Sequence, residues 1–248
     1  MIATIIENGH ARMVANFAQL IAILSDFGPQ YNPSSEEMQL PYLNDLLLRS
    51  HNAVQDVLEK NIVYNQKVKE RRLAFSQLRP LSSRLIWSLE IVTGAKGMVK
   101  SAKFYHRKIH GRRANNKVKV KVNTELTAVK PNRISVSQQS YTQLVQHFAG
   151  LISVLKVVKD YQPNEVELQV ATLEAMREDL DQKSTAVIIS EVALSNARIK
   201  RNNALYLHTD SIYNLAKRIK LYIIGIFGKQ SQIYMDIKGI KFTKYRKP

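Results

Sequence analysis

The chain has 248 residues, of which 45% are hydrophobic, so it has enough apolar material for a sizeable core and is not a disordered protein. Thirty-seven Lys and Arg residues against twenty Asp and Glu give a formal charge of +17, which favours anionic partners: nucleic acid, an anionic membrane or an acidic protein surface. The absence of cysteine excludes disulfides, thiolate metal sites and cysteine nucleophiles, and only nine glycines and seven prolines favour a mostly helical chain.

The amino-terminal region lacks the signals of export. Residues 1–10 contain no basic segment followed by a long apolar one, so no secretory signal is expected. The apolar stretches at 13–25 and 221–228 are shorter than the roughly 20 residues that span a bilayer. We therefore expect a soluble, cytoplasmic protein.

The two halves of the chain resemble each other, which predicts a tandem duplication. The sequence FAQLIAIL at 17–24 matches FAGLISVL at 148–155. Further matches follow in the same order: Tyr31 and Pro33 with Tyr161 and Pro163, Ala53 and Val54 with Ala186 and Val187, Arg84 with Arg218, and Gly94 with Gly228. We interpret 8–112 as helical repeat 1, 113–136 as a basic linker and 137–244 as helical repeat 2, with the repeats either packed as one domain or arranged in tandem.

Each repeat is predicted to contain one short helix, one very long helix and a third helical segment. Apolar residues at helical spacing predict short helices over about 11–27 and 139–160. Their apolar stripes are Val14, Phe17, Ile21 and Leu24, and Leu144, Phe148, Leu151 and Leu155.

The long helix of repeat 1 follows a capping-box spacing at 34–37, with an equivalent start at 164–167 in repeat 2. Pro41 allows a later start or a bend. The helix extends to about Arg79, roughly 35 residues or ~55 Å. Its apolar stripe is Leu43, Leu46, Leu47, Ser50, Ala53, Val54, Val57, Leu58, Ile62 and Val68.

The third helical segment also has a matched stripe in both repeats. Its residues are Leu81, Leu85, Leu89 and Val92 in repeat 1, and Leu215, Ile219, Ile223 and Phe227 in repeat 2. The predicted fold class is therefore all-α, an elongated helical bundle built from a duplicated unit.

The predicted linker has a different periodicity. Lys and Val alternate strictly over 117–122, which is typical of an irregular extended linker or of a short β-hairpin. We favour the linker, because an isolated two-stranded ribbon is only marginally stable in water.

Basic residues concentrate at equivalent ends of the two repeats, with aromatic residues between them. Lys96, Lys100, Lys103 and Arg107 share one face of a predicted helix, and Val99, Ala102 and Ile109 share the opposite face. Such a surface suits phosphates, and aromatic rings suit unpaired bases. The candidate polyanion-binding residues are Lys96, Lys100, Lys103, Arg107, Lys108, Arg112, Arg113, Lys238, Lys241, Lys244 and Arg246; the interleaved aromatics are Phe104, Tyr105, Tyr234, Phe242 and Tyr245.

Other interpretations of this charge remain open. A solvated basic face that keeps the protein soluble has the same composition, and an anionic lipid surface also attracts lysine-rich segments. Acidic residues cluster too, near the start of the second long helix, where the helix dipole favours them or where they dock on a basic end of another molecule. They are Glu165, Glu167, Glu174, Glu178, Asp179 and Asp181.

The sequence shows no motif of an enzyme or a metal site. Glu7 and His10 have the Glu-x-x-His spacing of di-metal carboxylate sites, but the second half of the chain has no equivalent pair. His106 and His110 have basic neighbours, which favour surface or phosphate contact over metal binding. Gly94–Gly97 fits a helix break better than a phosphate loop, and Trp87 is expected in the core. We expect no catalytic residue, metal, cofactor or small-molecule substrate.

The predicted function is a non-enzymatic binding or scaffold protein that engages a polyanion through its basic repeat ends. Nucleic acid, bound without sequence specificity, is the favoured partner. The alternatives are a structural subunit of a larger assembly, which includes self-association, and a membrane-active helical protein with an outline like that of α-pore-forming toxins.

Overall fold

The computed structural model describes residues 8–111 and 139–245, and these residues form helices and turns without a β-strand. The predicted linker at 113–136, with its alternating Lys and Val, lies outside the described residues, as do Arg112, Arg113 and Arg246. The α-helices are α1 (Asn8–Asp26), α2 (Leu40–Ser76), α3 (Leu78–Glu90), α4 (Lys96–His110), α5 (Tyr141–Val157), α6 (Val170–Asn202), α7 (Ile212–Phe227) and α8 (Gln232–Lys238). The all-α prediction is confirmed for the described residues.

Two of these helices are very long, as predicted. Helix α2 has 37 residues and α6 has 33, which corresponds to about 55 Å and 50 Å of helix. The capping-box start is wrong, because Ser35 makes no side-chain capping bond and a 3-10 turn occupies Glu36–Met38. Helix α2 begins beyond it at Leu40, so that Pro41 lies in its first turn, where a missing N–H costs no helical hydrogen bond.

The described residues divide into two compact units. The terminal unit contains residues 8–65 and 190–245, and the central unit contains 66–111 and 139–189. Each long helix therefore contributes one part to each unit. Each unit also combines segments from both halves of the chain.

The core of the terminal unit is built on α1 and α7. Phe17, Leu20 and Leu24 of α1 are fully buried, together with Leu215, Ile219 and Ile223 of α7 and Ile233 and Ile237 of α8. These residues recur at helical spacing, so each helix buries one continuous stripe. The predicted stripe of α1 is confirmed by this burial, and that of α7 is confirmed except for Phe227, which is partly buried.

The core of the central unit is built on α3, α4 and α5. Phe148, Leu151 and Leu155 of α5 are buried with Leu85 and Leu89 of α3. Helix α4 adds Ala102 and Ile109, each with no exposed surface. Helix α4 is thus held by its apolar face between helices α3 and α5.

The two units contain the same local contacts. Arg84 of α3 donates to Glu167 at 2.6 Å, and Arg218 of α7 donates to Glu37 at 2.5 Å. In each unit a buried tyrosine hydroxyl donates to the backbone carbonyl seven residues later: Tyr31 to Met38 at 2.6 Å and Tyr161 to Leu168 at 3.1 Å. In both units the glutamate and the tyrosine–carbonyl bond lie just before a long helix.

Two apolar side chains are exposed where the pattern predicts burial. Trp87, the only tryptophan, is 64% exposed, and Ile62 is 67% exposed. Trp87 lies outside the buried stripe of α3, which comprises Leu78, Leu81, Ser82, Leu85, Ile86 and Leu89. The expectation of a core tryptophan is wrong, because helix rotation, and not hydrophobicity alone, decides which side chain faces inward.

Candidate functional site

Glycines with positive φ angles lie in the turns that precede and follow helix α4. Gly94 has φ +90° in the turn before it, and Gly111 has φ +68° at its carboxyl end. The Gly111 N–H donates to the carbonyls of Arg107 and Lys108, an ending that favours glycine. The interpretation of Gly94–Gly97 as a helix break is confirmed.

The outer face of α4 carries the basic residues that the sequence singles out. Lys96, Lys100, Lys103 and Arg107 are all exposed, and Lys108 is partly buried. Since Ala102 and Ile109 are buried on the inner face, the predicted division of α4 into a basic face and an apolar face is confirmed.

The positive charge of this face is only slightly neutralised within the described residues. Lys103 forms an ion pair of 2.5 Å with Glu90 of α3. Both side chains are more than a third exposed, so water screens this pair strongly. No ion pair joins Lys96, Lys100 or Arg107 to an acidic residue in the described ranges, and their charges remain available to an anion.

Two aromatic rings lie on the same helix beside these cations. Phe104 is 48% exposed and packs edge-to-face against Tyr105, with ring centroids 5.3 Å apart. The Lys108 ammonium lies 5.6 Å from the centre of the Phe104 ring. Part of the Phe104 ring is thus exposed to solvent and is surrounded by lysine and arginine side chains of α4.

A groove of about 550 Å³ lies between α4 and α5 at these rings. Lys100, Phe104 and Tyr105 line it from α4, and Gly150 and Val157 line it from α5. Gly150 permits this geometry, because a Cβ atom there would lie 2.2 Å from Cε1 of Tyr105. The Tyr105 ring therefore packs directly on the backbone of α5.

Side chains from other elements secure the carboxyl end of α4. Arg79 Nε donates to the Ile109 carbonyl at 3.4 Å, and Gln139 Nε2 donates to the Lys108 carbonyl at 2.6 Å. Arg79 and Gln139 also contact each other at 3.2 Å. Sequence reasoning missed these two residues and Gly150, since their roles depend on contacts between segments far apart in the chain.

The two histidines of α4 contact α3. The rings of His106 and His110 are 4.3 Å apart, and both contact the buried Ser82 hydroxyl, at 3.2 and 3.3 Å. The His110 Nε2 also lies 3.2 Å from the Arg79 carbonyl. Both histidines are partly buried, and one nitrogen of each ring contacts α3, so these two nitrogens serve the packing of α4 on α3. Phosphate contact by these residues stays a prediction.

The second predicted cluster lies in the terminal unit. Lys238 ends α8, and Lys241 and Lys244 follow it, all three with exposed side chains. Asn16 of α1 donates to the Lys241 carbonyl at 2.8 Å and fixes this segment to α1. Lys220 serves a structural role, since its ammonium donates to the Ile240 carbonyl at 2.6 Å and burial lowers its pKa.

A polar cluster surrounds a π-helical turn at Asn203–Leu207 in the terminal unit. The Tyr206 hydroxyl and His10 Nδ1 form a hydrogen bond of 2.7 Å. Burial, reinforced by the charge of Arg201, lowers the pKa of His10. Nearby, Asp210 accepts from Tyr42 and contacts His208, and the Tyr42 hydrogen bond, despite some opposing burial, lowers the pKa of the Asp210 carboxyl.

Four of the six acidic residues near the start of α6 form ion pairs with their neighbours. Glu167 pairs with Arg84, and Glu174 pairs with Lys156. Within α6, Glu178 pairs with Arg177 and Asp179 with Lys183. The first turn of α6 itself contains no acidic residue, whereas Glu165 and Glu167 lie at the 3-10 turn just before it.

The described residues contain neither a metal-binding cluster nor a membrane-spanning helix. Across 8–111 and 139–245, no group of three or more His, Asp or Glu side chains is arranged to hold a metal ion. None of the helices in these ranges is both long enough and apolar enough to cross a membrane. Comparison of this chain with protein-family models, curated proteins and solved structures gave no match.

Proposed function

We propose that this protein is a non-enzymatic helical binding or scaffold protein whose basic surfaces engage a polyanion, with nucleic acid as the favoured partner. The observation that carries the proposal is the outer face of α4, where Lys96, Lys100, Lys103 and Arg107 are exposed and, among residues 8–111 and 139–245, only Lys103 is paired with an acid. Lys238, Lys241 and Lys244 form a second exposed cluster in the terminal unit. Arg112, Arg113 and Arg246 belong to the same proposal as sequence-based candidates.

The physical basis of binding is charge neutralisation. Each lysine or arginine that contacts a phosphate releases a condensed counterion, so affinity falls steeply with salt. The basic side chains form a row along one helix face, which suits contacts with successive phosphates and not with the edges of particular bases. Binding without sequence specificity follows from this arrangement.

The proposal is tested by reversing charges on α4. The variant carries Lys100→Glu, Lys103→Glu and Arg107→Glu, and its affinity for single-stranded DNA and for heparin is measured by fluorescence anisotropy over a range of salt concentrations. We expect weaker binding to both, and a log–log salt slope that is shallower by about 2 for the single strand.

The control carries the same change in charge elsewhere in the central unit. Lys69→Glu, Arg72→Glu and Lys159→Glu alter exposed residues outside α4. If this control loses as much affinity as the α4 variant, net charge governs binding and the assigned surface is wrong. Circular dichroism of both variants checks that the helices are retained.

A structural subunit of a larger assembly is the second candidate, and one observation favours it. Ile91 is 84% exposed and Trp87 is 64% exposed, both at the carboxyl end of α3. Tryptophan is enriched among the residues that contribute most to protein interfaces, and exposed apolar patches mark interaction sites. Light scattering at high concentration tests self-assembly, with Trp87→Ser as the variant that abolishes it.

The tandem duplication remains part of the proposal. The recurrence of an arginine–glutamate pair and of a tyrosine–carbonyl bond before each long helix supports it. If the repeats are 8–112 and 137–244, each compact unit takes its short helix from one repeat and its third segment from the other. Each compact unit would then be built from parts of both copies.

A further inference from the structure

We propose that the groove between α4 and α5 binds an unpaired nucleobase, which makes single-stranded nucleic acid the substrate class of the α4 surface. This inference rests on the proposed function and goes beyond it, because a charged face alone does not distinguish single strands, duplexes and other polyanions. The distinguishing feature is the aromatic pair of Phe104 and Tyr105 among the lysines.

The position of Phe104 on α4 is the first argument. Lys100, Phe104 and Lys108 are four residues apart and so share one helix face, with about 6 Å of helix rise between neighbours. A base that stacks on Phe104 would therefore have Lys100 one helical turn before it for a flanking phosphate, and Lys108, already at the ring, one turn after it. This combination of a stacking ring and a basic track is typical of proteins that bind single strands.

The fixed position of Tyr105 is the second argument. Its ring packs on the backbone of α5 at Gly150, where a Cβ would lie 2.2 Å from Cε1 and 2.5 Å from Cζ. Tyr105 in turn meets the Phe104 ring at an interplanar angle of 79°. Phe104 is thus supported from one side, which lowers the entropy lost when a ligand stacks on it.

The shape and lining of the groove are the third argument. The groove of about 550 Å³ is open to solvent, so a planar base can reach the exposed Phe104 ring from outside. Val157 and Val154 supply an apolar wall, and Lys100 supplies the charge. A duplex buries its base faces in its own stack, so only an unpaired base can enter such a site.

The terminal unit differs at the corresponding place. Its cluster of Lys238, Lys241 and Lys244 is accompanied by Phe242, a partly buried ring that has Lys220 5.7 Å from its centre. Tyr245 packs on Tyr206. Both rings pack against the core of the terminal unit. We therefore assign base stacking to the central unit, and only charge-based phosphate binding to the terminal unit.

The test compares oligonucleotides with and without bases. The full chain and its variants are titrated with a single-stranded oligothymidine, an abasic strand of the same length, a blunt duplex and heparin. We expect wild type to prefer the oligothymidine over the abasic strand. Phe104→Ala should lose roughly 5- to 150-fold in affinity for the oligothymidine and retain its heparin affinity, whereas Phe104→Tyr should restore binding.

Two further variants sharpen the test. Gly150→Ala displaces the Tyr105 ring and should remove the preference for bases with heparin affinity retained. Leu73→Ala, at an exposed apolar residue of α2 in the same unit, should change nothing.

The outcomes separate this inference from the proposed function. Equal binding of oligothymidine, abasic strand and duplex, or a Phe104→Ala variant that behaves like Leu73→Ala, overturns base stacking and leaves polyanion binding in place. Failure of wild type to bind any of the four probes overturns both.

Discussion

Arg84 and Glu167 lie far apart in the sequence, yet they form an ion pair of 2.6 Å in the central unit. Arg84 belongs to α3 in the first half of the chain, and Glu167 precedes α6 in the second half. The pair between Arg218 and Glu37 joins the halves in the same way in the terminal unit. Each unit is therefore complete only when both halves of the chain are present.

This arrangement predicts the behaviour of fragments. A fragment of residues 1–111 keeps α1 but loses α7, against which Phe17, Leu20 and Leu24 are buried. We expect each half, 1–111 or 139–248, to be largely unfolded or aggregated alone, because about 1.5–3 kcal/mol of burial per large side chain is lost. Mixing the halves should restore the helical circular dichroism and cooperative unfolding. A half that unfolds cooperatively by itself would contradict the exchanged assembly.

The buried phenylalanines provide a stability prediction. Phe148 has no exposed surface and packs among α3, α4 and α5. Phe148→Ala should lower the free energy of unfolding by about 3–5 kcal/mol, measured by urea denaturation. The matched control is Phe104→Ala, the same substitution at a side chain that is 48% exposed. It should lower the free energy of unfolding by well under half as much. Equal losses would mean that α4 is packed differently.

His10 makes the stability of the terminal unit depend on pH. Burial lowers its pKa in the folded protein from 6.5, so the unfolded chain binds a proton more readily in mildly acidic solution. Stability should therefore fall as the pH drops below about 6.5 and level off below the folded pKa. His10→Gln should flatten this part of the pH profile of thermal unfolding, whereas His51→Gln, at an exposed site on α2, should not.

Much of the helical framework could be predicted from apolar spacing. The stripe that contains Phe17 and Leu24 is buried, and so is the stripe that contains Leu85 and Leu89, because a 3.6-residue period leaves only one face to bury. The two faces of α4 follow from the same rule, with Lys100 outside and Ala102 inside.

Features that depend on contacts between segments could not be predicted. Gly150 has no local signal, since its role comes from a Tyr105 ring that arrives from another helix. The contacts of His106 and His110 with Ser82 depend on how α3 packs against α4. The exposure of Trp87 likewise depends on how α3 is rotated against its neighbours.

The most direct test of polyanion binding is the salt dependence of wild-type affinity for a single-stranded oligonucleotide. With at least the four exposed cations Lys96, Lys100, Lys103 and Arg107 on phosphates, log affinity should fall linearly with log salt at a slope of about −3 or steeper. An affinity that stays flat between about 50 and 500 mM salt would contradict the account.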